Sequence, residues 1–263
     1  MSDEPRTPPR GYGWHPSLPD PRDIPADPTS IPIRPEVDPR KEYMTPVYDQ
    51  GQLGSCTANA VAAAIDAARI VEGKDPIFPA RLGIYWLERF VERQPANADR
   101  GAYGRDGFKA ARRYGVLPES DFPYVDDAHD PRFATDPRTD PDWDKAHWKL
   151  DEPYKAVRQS LIDIKRVLSN RQTIAFGFTV PASFESAEMA KTGIMAEPDP
   201  DDLTNDGHEV LAVGYLADHA GYCLVRNSWG TDWGIGGYFL MPWTWLLDSK
   251  LTGDLRTIYR PLK

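Results

Sequence analysis

From Thr57 to Glu72 the chain runs Thr-Ala-Asn-Ala-Val-Ala-Ala-Ala-Ile-Asp-Ala-Ala-Arg-Ile-Val-Glu and then meets Gly73. Alanine has the highest helix propensity and glycine commonly follows a helix end, so a helix is expected here. Small residues on all its faces suit a helix buried between neighbours. Directly before it stands Gln50-Gly51-Gln52-Leu53-Gly54-Ser55-Cys56, which sets a cysteine at the helix mouth, six residues after a glutamine. A helix N-terminus carries partial positive charge and favours the thiolate, the nucleophilic form of cysteine. With an imidazolium beside it, such a thiol titrates at roughly 3.5–7.5. Taken alone, a cysteine at a helix start is more often a small buried hydrophobe, so the assignment depends on partners elsewhere.

Those partners are far downstream. Gly207-His208-Glu209 opens a run of alternating character, Val210, Ala212, Gly214, that reads as a strand. His208 suits a general acid for a leaving amine, although a lone histidine at a strand start is usually just a hydrogen-bonded residue. Arg226-Asn227-Ser228-Trp229-Gly230 adds an amide that can fix the imidazole ring and its tautomer, with Trp229 and Trp233 to shield that bond from water. The Gln50 amide and the Cys56 backbone N–H could then receive a developing oxyanion. Nucleophile, acid, orienter and oxyanion donor together describe acyl transfer through a thioester. His15, His129, His147 and His219 sit among Pro, Asp and Gly and read as loop residues.

Three blocks resemble the signature segments of the papain family of cysteine peptidases: Gln50 to Cys56, Gly207 to Tyr215, and Arg226-Asn227-Ser228-Trp229-Gly230-Thr231-Asp232-Trp233-Gly234-Ile235-Gly236-Gly237-Tyr238. Their order, Cys then His then Asn, agrees as well. Arg113-Tyr114-Gly115-Val116 and Asp121-Phe122-Pro123-Tyr124 add weaker likenesses, so the resemblance spans about 45–260. It implies an α+β, papain-like two-lobed fold, with a helical lobe, an antiparallel β-barrel-like lobe and the active-site cleft between them. It implies Cys56 as nucleophile, His208 as its ion-pair partner, Asn227 as orienter and Gln50 in the oxyanion hole. Gly101, Ala102 and Tyr103 fall where the family binds substrate backbone. Gly207 leaves room for substrate, Trp229 flanks the site, and Gly177, Phe178 and Asp206 are further pocket candidates. The implied activity is endopeptidase cleavage of peptide or protein substrates. Acyl transfer to an amine, exopeptidase action and a silent binding module are the alternatives.

The chain departs from the family in three ways. Leu53 and Thr57 stand where a cysteine and an aromatic residue are common, and the usual long helical pro-domain is missing. In its place, residues 1–45 are proline-rich, as in Leu18-Pro19-Asp20-Pro21-Arg22-Asp23 and Ile31-Pro32-Ile33-Arg34-Pro35. Proline fixes φ and removes a donor, so this segment must be extended or irregular. Surface wrapping is the plainer expectation. A pro-segment lying along the cleft, and hence a latent precursor, is the functional one, and Trp14, Leu18, Ile24, Ile31 and Ile33 give it apolar anchors.

The remaining division is 46–148 for a helical lobe carrying the nucleophile and 149–263 for a β-rich lobe carrying His208 and Asn227. Further helices are expected at about 79–92, 106–114 and 161–168. Strands are expected at 173–180, 208–215, 221–226 and 237–241. A net charge of −9 argues against a nucleic-acid partner and gives no attraction to an anionic membrane. Two cysteines in 263 residues, with no visible signal peptide at Met1, fit a cytoplasmic protein or one exported without a standard signal. The acidic stretches Asp126–Asp144 and Glu197–Asp202 lack a calcium-loop pattern, so neither a metal nor a cofactor is expected.

Overall fold

The computed structural model describes residues 11–141, 143–146, 149–150 and 153–258. The chain start, the first ten residues of the proline-rich segment and His147 lie outside them. The alanine-rich run forms helix α1 (Cys56–Val71), with Glu72 as C-cap and Gly73 in the left-handed region at φ 74°. Helix α2 (Arg81–Val91) and helix α3 (Gly104–Arg113) pack on it. Single turns α4 (Pro131–Ala134) and α5 (Trp143–Ala146) interrupt the acidic loop, and the Asp130 side chain caps α4 by accepting from the Arg132 N–H. Helix α6 (Leu161–Ser169) comes next, with the shorter α7 (Ala187–Thr192) and α8 (Trp243–Leu247) further on.

Two short strands, β1 (Trp14–His15) and β2 (Ala102–Tyr103), pair in parallel. The remaining strands are β3 (Tyr154–Ala156), β4 (Ile174–Pro181), β5 (Leu203–Gly214), β6 (Tyr222–Arg226), β7 (Tyr238–Pro242) and β8 (Thr252–Ile258). They form one antiparallel sheet in the order β3-β8-β4-β5-β6-β7. One face, with Ala175, Leu211, Val213, Leu224 and Leu240, packs against α1 to α3. The other, with Ile174, Phe176, Phe178, Val210, Val225 and Phe239, closes over α6 and an aromatic cluster. Period-2 alternation sends neighbouring residues of β4 and β5 to opposite faces. His208 pairs with Phe178, whereas Glu209 pairs with Gly177. That one-residue difference places His208 on the aromatic side and Glu209 on the helical side.

From Gly11 to Thr45 the proline-rich segment packs along both lobes. Ala26, Ile31 and Val37 are buried, and Val37 exchanges backbone hydrogen bonds with Tyr215. Its later part therefore contributes to the core, and the stretch from Gly11 to Trp14 runs to the cleft. His15, expected in a loop, is instead in β1 and makes a 2.6 Å bond to the Arg100 carbonyl.

Candidate active site

Cys56 is the first residue of α1 and is fully buried. His208 is also buried, and its Nε2 lies 2.8 Å from Asn227 Oδ1. With Oδ1 accepting, that ring nitrogen carries the proton and Nδ1 is the acceptor nitrogen. Asn227 is itself fixed, because Oδ1 also accepts from the Ser228 N–H at 2.8 Å. The Trp229 indole stacks on the imidazole at 5.1 Å and 30°, and Trp233 meets Trp229 edge-on at 5.2 Å. Phe178 and Phe184 close the far side of the ring at 5.9 and 6.3 Å. Few water molecules can reach the His208–Asn227 bond through such a shell.

Gln50 is buried, and Ser228 Oγ donates to its Oε1 at 2.5 Å. That bond turns Nε2 the other way, where it donates to the carbonyls of Gly11 and Leu53, both at 2.9 Å. The Gly11 carbonyl therefore holds the donor that the sequence assigns to an oxyanion. One residue on, the Tyr12 ring stands edge-on to His208 at 5.7 Å, and its hydroxyl donates to Glu185 at 2.6 Å. The Gly13 and Glu209 backbone N–H groups point to the Cys56 sulfur. The Gly13 carbonyl accepts from the Ala102 N–H at 2.7 Å.

Trp14 lies flat on glycines. A Cβ on Gly177 would be 1.9 Å from its ring, and one on Gly207 2.4 Å from its carbonyl. Its Nε1 donates to Asp254 Oδ2 at 3.2 Å. Beyond it, Asp20 and Asp23 meet Arg105 at 3.6 and 3.2 Å, and Asp23 also meets Arg256 at 2.9 Å.

This covering changes the thiol. Burial is the largest influence on Cys56 and pushes it up to about 12, outweighing the two backbone N–H groups and reinforced by the Glu209 and Glu88 carboxyls. The low-titrating thiol expected from the sequence is thus absent in this state, because desolvation penalises the charged form more than a helix terminus favours it.

The structure brings together Cys56, His208, Asn227, Gln50, Gly101, Ala102, Gly207 and Trp229, each at or beside the cleft. Tyr103 is at its rim and exposed. Phe178 is a correction: as the partner of His208 it faces the aromatic cluster, and only its neighbour Gly177 faces Trp14. Asp206 is exposed beside the Trp14 end of the cleft. Sequence reasoning missed Gly11, Tyr12, Gly13, Asp254 and Glu209. A signal for the first three existed in Gly11-Tyr12-Gly13-Trp14, whose small–large alternation suits a narrow slot. Cys223 is buried in β6, and both cysteines are free thiols. Among the described residues no cluster of metal-ligating side chains occurs, and no helix is long and apolar enough to cross a membrane.

The pattern of the papain family cysteine proteases matches residues 33–244. An uncharacterized peptidase C1-like protein of Acanthamoeba polyphaga mimivirus is 35% identical, covering 93% of this chain and 85% of its own length. Pro-cathepsin H of Bos taurus is 28% identical over 80% of this chain and 60% of its own length. The crystal structure of xylellain, a cysteine protease from Xylella fastidiosa, superposes with a TM-score of 0.84 at 35% identity, covering 95% of this chain and 96% of that one. A digestive procathepsin L 3 from Tenebrio molitor shares the fold, with a TM-score of 0.67 at 20% identity over 89% and 72% of the two chains. The chain belongs to the papain family of cysteine proteases, hydrolases that cleave peptide bonds through a thiol.

Proposed function

We propose that Cys56 attacks the peptide carbonyl, that His208 takes the thiol proton and returns it to the leaving amine, that Asn227 orients His208, and that Gln50 with the Cys56 N–H holds the oxyanion. The observation carrying this reading is the 2.8 Å bond from His208 Nε2 to Asn227 Oδ1. It leaves the opposite ring nitrogen for proton exchange with the thiol. Water then hydrolyses the thioester. Gly101 to Tyr103 and Gly207 bind substrate backbone, and Trp229 flanks the leaving group.

The same reading makes residues 11–18 an autoinhibitory segment. Gly11 fills the oxyanion donor and Trp14 fills the glycine-floored slot. The Gly13 N–H faces the sulfur, so the segment occupies the site. Two free thiols favour a reducing compartment, either the cytoplasm or a destination reached without a standard signal.

Cys56→Ala should abolish peptide hydrolysis while leaving thermal unfolding close to the parent. Gln50→Ala should lower kcat by roughly 10²–10³ with little change in KM, the effect of losing one oxyanion donor. A Cys56→Ala protein as active as the parent would end the assignment. Adding an amine acceptor during turnover separates hydrolysis from transfer, because only transfer yields the amide adduct.

A further inference from the structure

Directly behind the nucleophile lie two carboxyls that the mechanism above does not use. Glu88 is on α2 and fully buried, and one oxygen accepts from Thr57 Oγ1 at 2.7 Å. Thr57 is the residue after Cys56. Glu209 is on β5, 2% exposed, and is the residue after His208. Each has a buried oxygen with no hydrogen-bond partner, Oε1 in Glu88 and Oε2 in Glu209. Both oxygens abut the same face of α3. A Cβ on Gly104 would stand 1.9 Å from Glu209 Oε2, and one on Gly107 2.3 Å from Glu88 Oε1. Positions three apart on a helix are neighbours, so the α3 glycines make room for two carboxyls side by side.

A buried carboxylate needs a cation or several donors. Glu88 faces Thr57, Glu209, Glu92 and Asp106, none of them cationic. Glu209 faces Asp254 and Arg256, and Arg256 directs one nitrogen, Nη2, to Asp23 and Asp254 at 2.9 and 3.6 Å and makes no hydrogen bond to Glu209. Burial is the largest influence and, with like charge, pushes both groups well above the ordinary carboxylate range, opposed by the Thr57 hydrogen bond at Glu88 and by Arg256 at Glu209.

We propose that Glu88 and Glu209 form a neutral carboxylic acid pair that joins the helical and β-rich lobes behind the site and positions Cys56 against His208. The pair acts through its neighbours: Glu88 fixes Thr57, hence the start of α1, and Glu209 fixes the strand that carries His208. Loss of its protons would set two like charges together beside the sulfur, which splays the lobes and disfavours the thiolate. Activity should therefore fall on the alkaline side as the pair ionises. The proposal rests on the peptidase reading for its kinetic test and is independent of it for its spectroscopic one.

In the full chain, difference infrared spectra at neutral pH should show protonated-carboxyl bands that weaken in Glu88→Gln and again in Glu88→Gln/Glu209→Gln. In the full chain opened by Gly13→Val, the pH profile of kcat/KM should have an alkaline limb that moves up by at least about one unit in Glu209→Gln, because an amide cannot ionise. Glu209→Ala should lose at least about tenfold in kcat, and Glu209→Gln should restore it. A carboxyl band absent at neutral pH, or an alkaline limb unmoved by both Gln variants, would overturn the pair. A loss of melting temperature with unmoved profiles would reduce it to packing, which also overturns it. An opened chain with no turnover would count against the peptidase roles, and the infrared bands would still decide on the pair.

Discussion

Removing residues 1–18 should raise the alkylation rate of Cys56 at pH 7 by about 10²-fold. Covered by the segment, the thiol is pushed up to about 12, so only about 10⁻⁵ of it is thiolate at pH 7. Uncovered, even an ordinary thiol near 8.5 gives a few per cent, a gain of about 10³. Nucleophilicity falls as the thiol becomes more acidic, with a Brønsted slope of roughly 0.4–0.5, and that returns somewhat less than 10² of the gain. Access for the reagent and the nearby imidazole add to what remains. The cut belongs after residue 18 and not after 40, because Ala26, Ile31 and Val37 are buried core and their loss would confuse unfolding with activation. Intact mass after treatment with an epoxysuccinyl-peptide reagent gives the rate and the site. Equal rates in the full and shortened chains would show that the segment does not gate the thiol. The pH dependence has a definite sign too. A thiol raised from 9.0 to about 12 contributes stability that is complete below pH 9 and lost as pH climbs towards 12. The shortened protein should lack that alkaline loss.

The parts of this molecule written in short local patterns are legible in the amino-acid sequence. The alanine run marks α1 to within one residue, and β-branched or aromatic runs mark β4, β6 and β7. Strand β8 is hidden because Thr252-Gly253-Asp254-Leu255-Arg256-Thr257-Ile258 has few apolar residues; it lies between β3 and β4, and its Arg256 pairs with Asp23. Strand β5 begins at Leu203, ahead of the apolar run, because polar residues there pair with β4 without needing a core. Three signature blocks point to Cys56, His208, Asn227 and Gln50, since such a site is assembled from short segments. What covers the site has no local signature, because Gly11 to Trp14 meet it across nearly forty residues of intervening chain. The thiol's titration departs from expectation because burial outweighs the helix that bears it. Glu209 gives no signal of its own, because its neighbour His208 carries the recognisable chemistry and alternation sends the two to opposite faces.

Gly13→Val in the full-length chain should open the cleft without truncation. A Cβ at this position would lie 1.8 Å from the Gly54 carbonyl oxygen and 2.5 Å from its carbon, both backbone atoms of the loop leading to Cys56. Neither can move far, because the Gly54 N–H is held by Asp99 at 3.1 Å. The segment must therefore lift, and it takes with it the Gly11 carbonyl on Gln50 and the Gly13 N–H at the sulfur. Alkylation of Cys56 should then approach the rate of the shortened protein. Trp14→Ala tests the same contact by a different route. It removes a side chain only 8% exposed, and such a change costs roughly 3–5 kcal/mol. That weakens docking by roughly 10²–10⁴, while Asp20 and Asp23 still hold Arg105 and Arg256. Partial opening is the expected result there. Leu18→Ala, at a side chain 81% exposed, should change nothing and serves as the control. If Gly13→Val labels as slowly as the parent while its unfolding curve is normal, the latency lies elsewhere than in the Gly11–Trp14 contact.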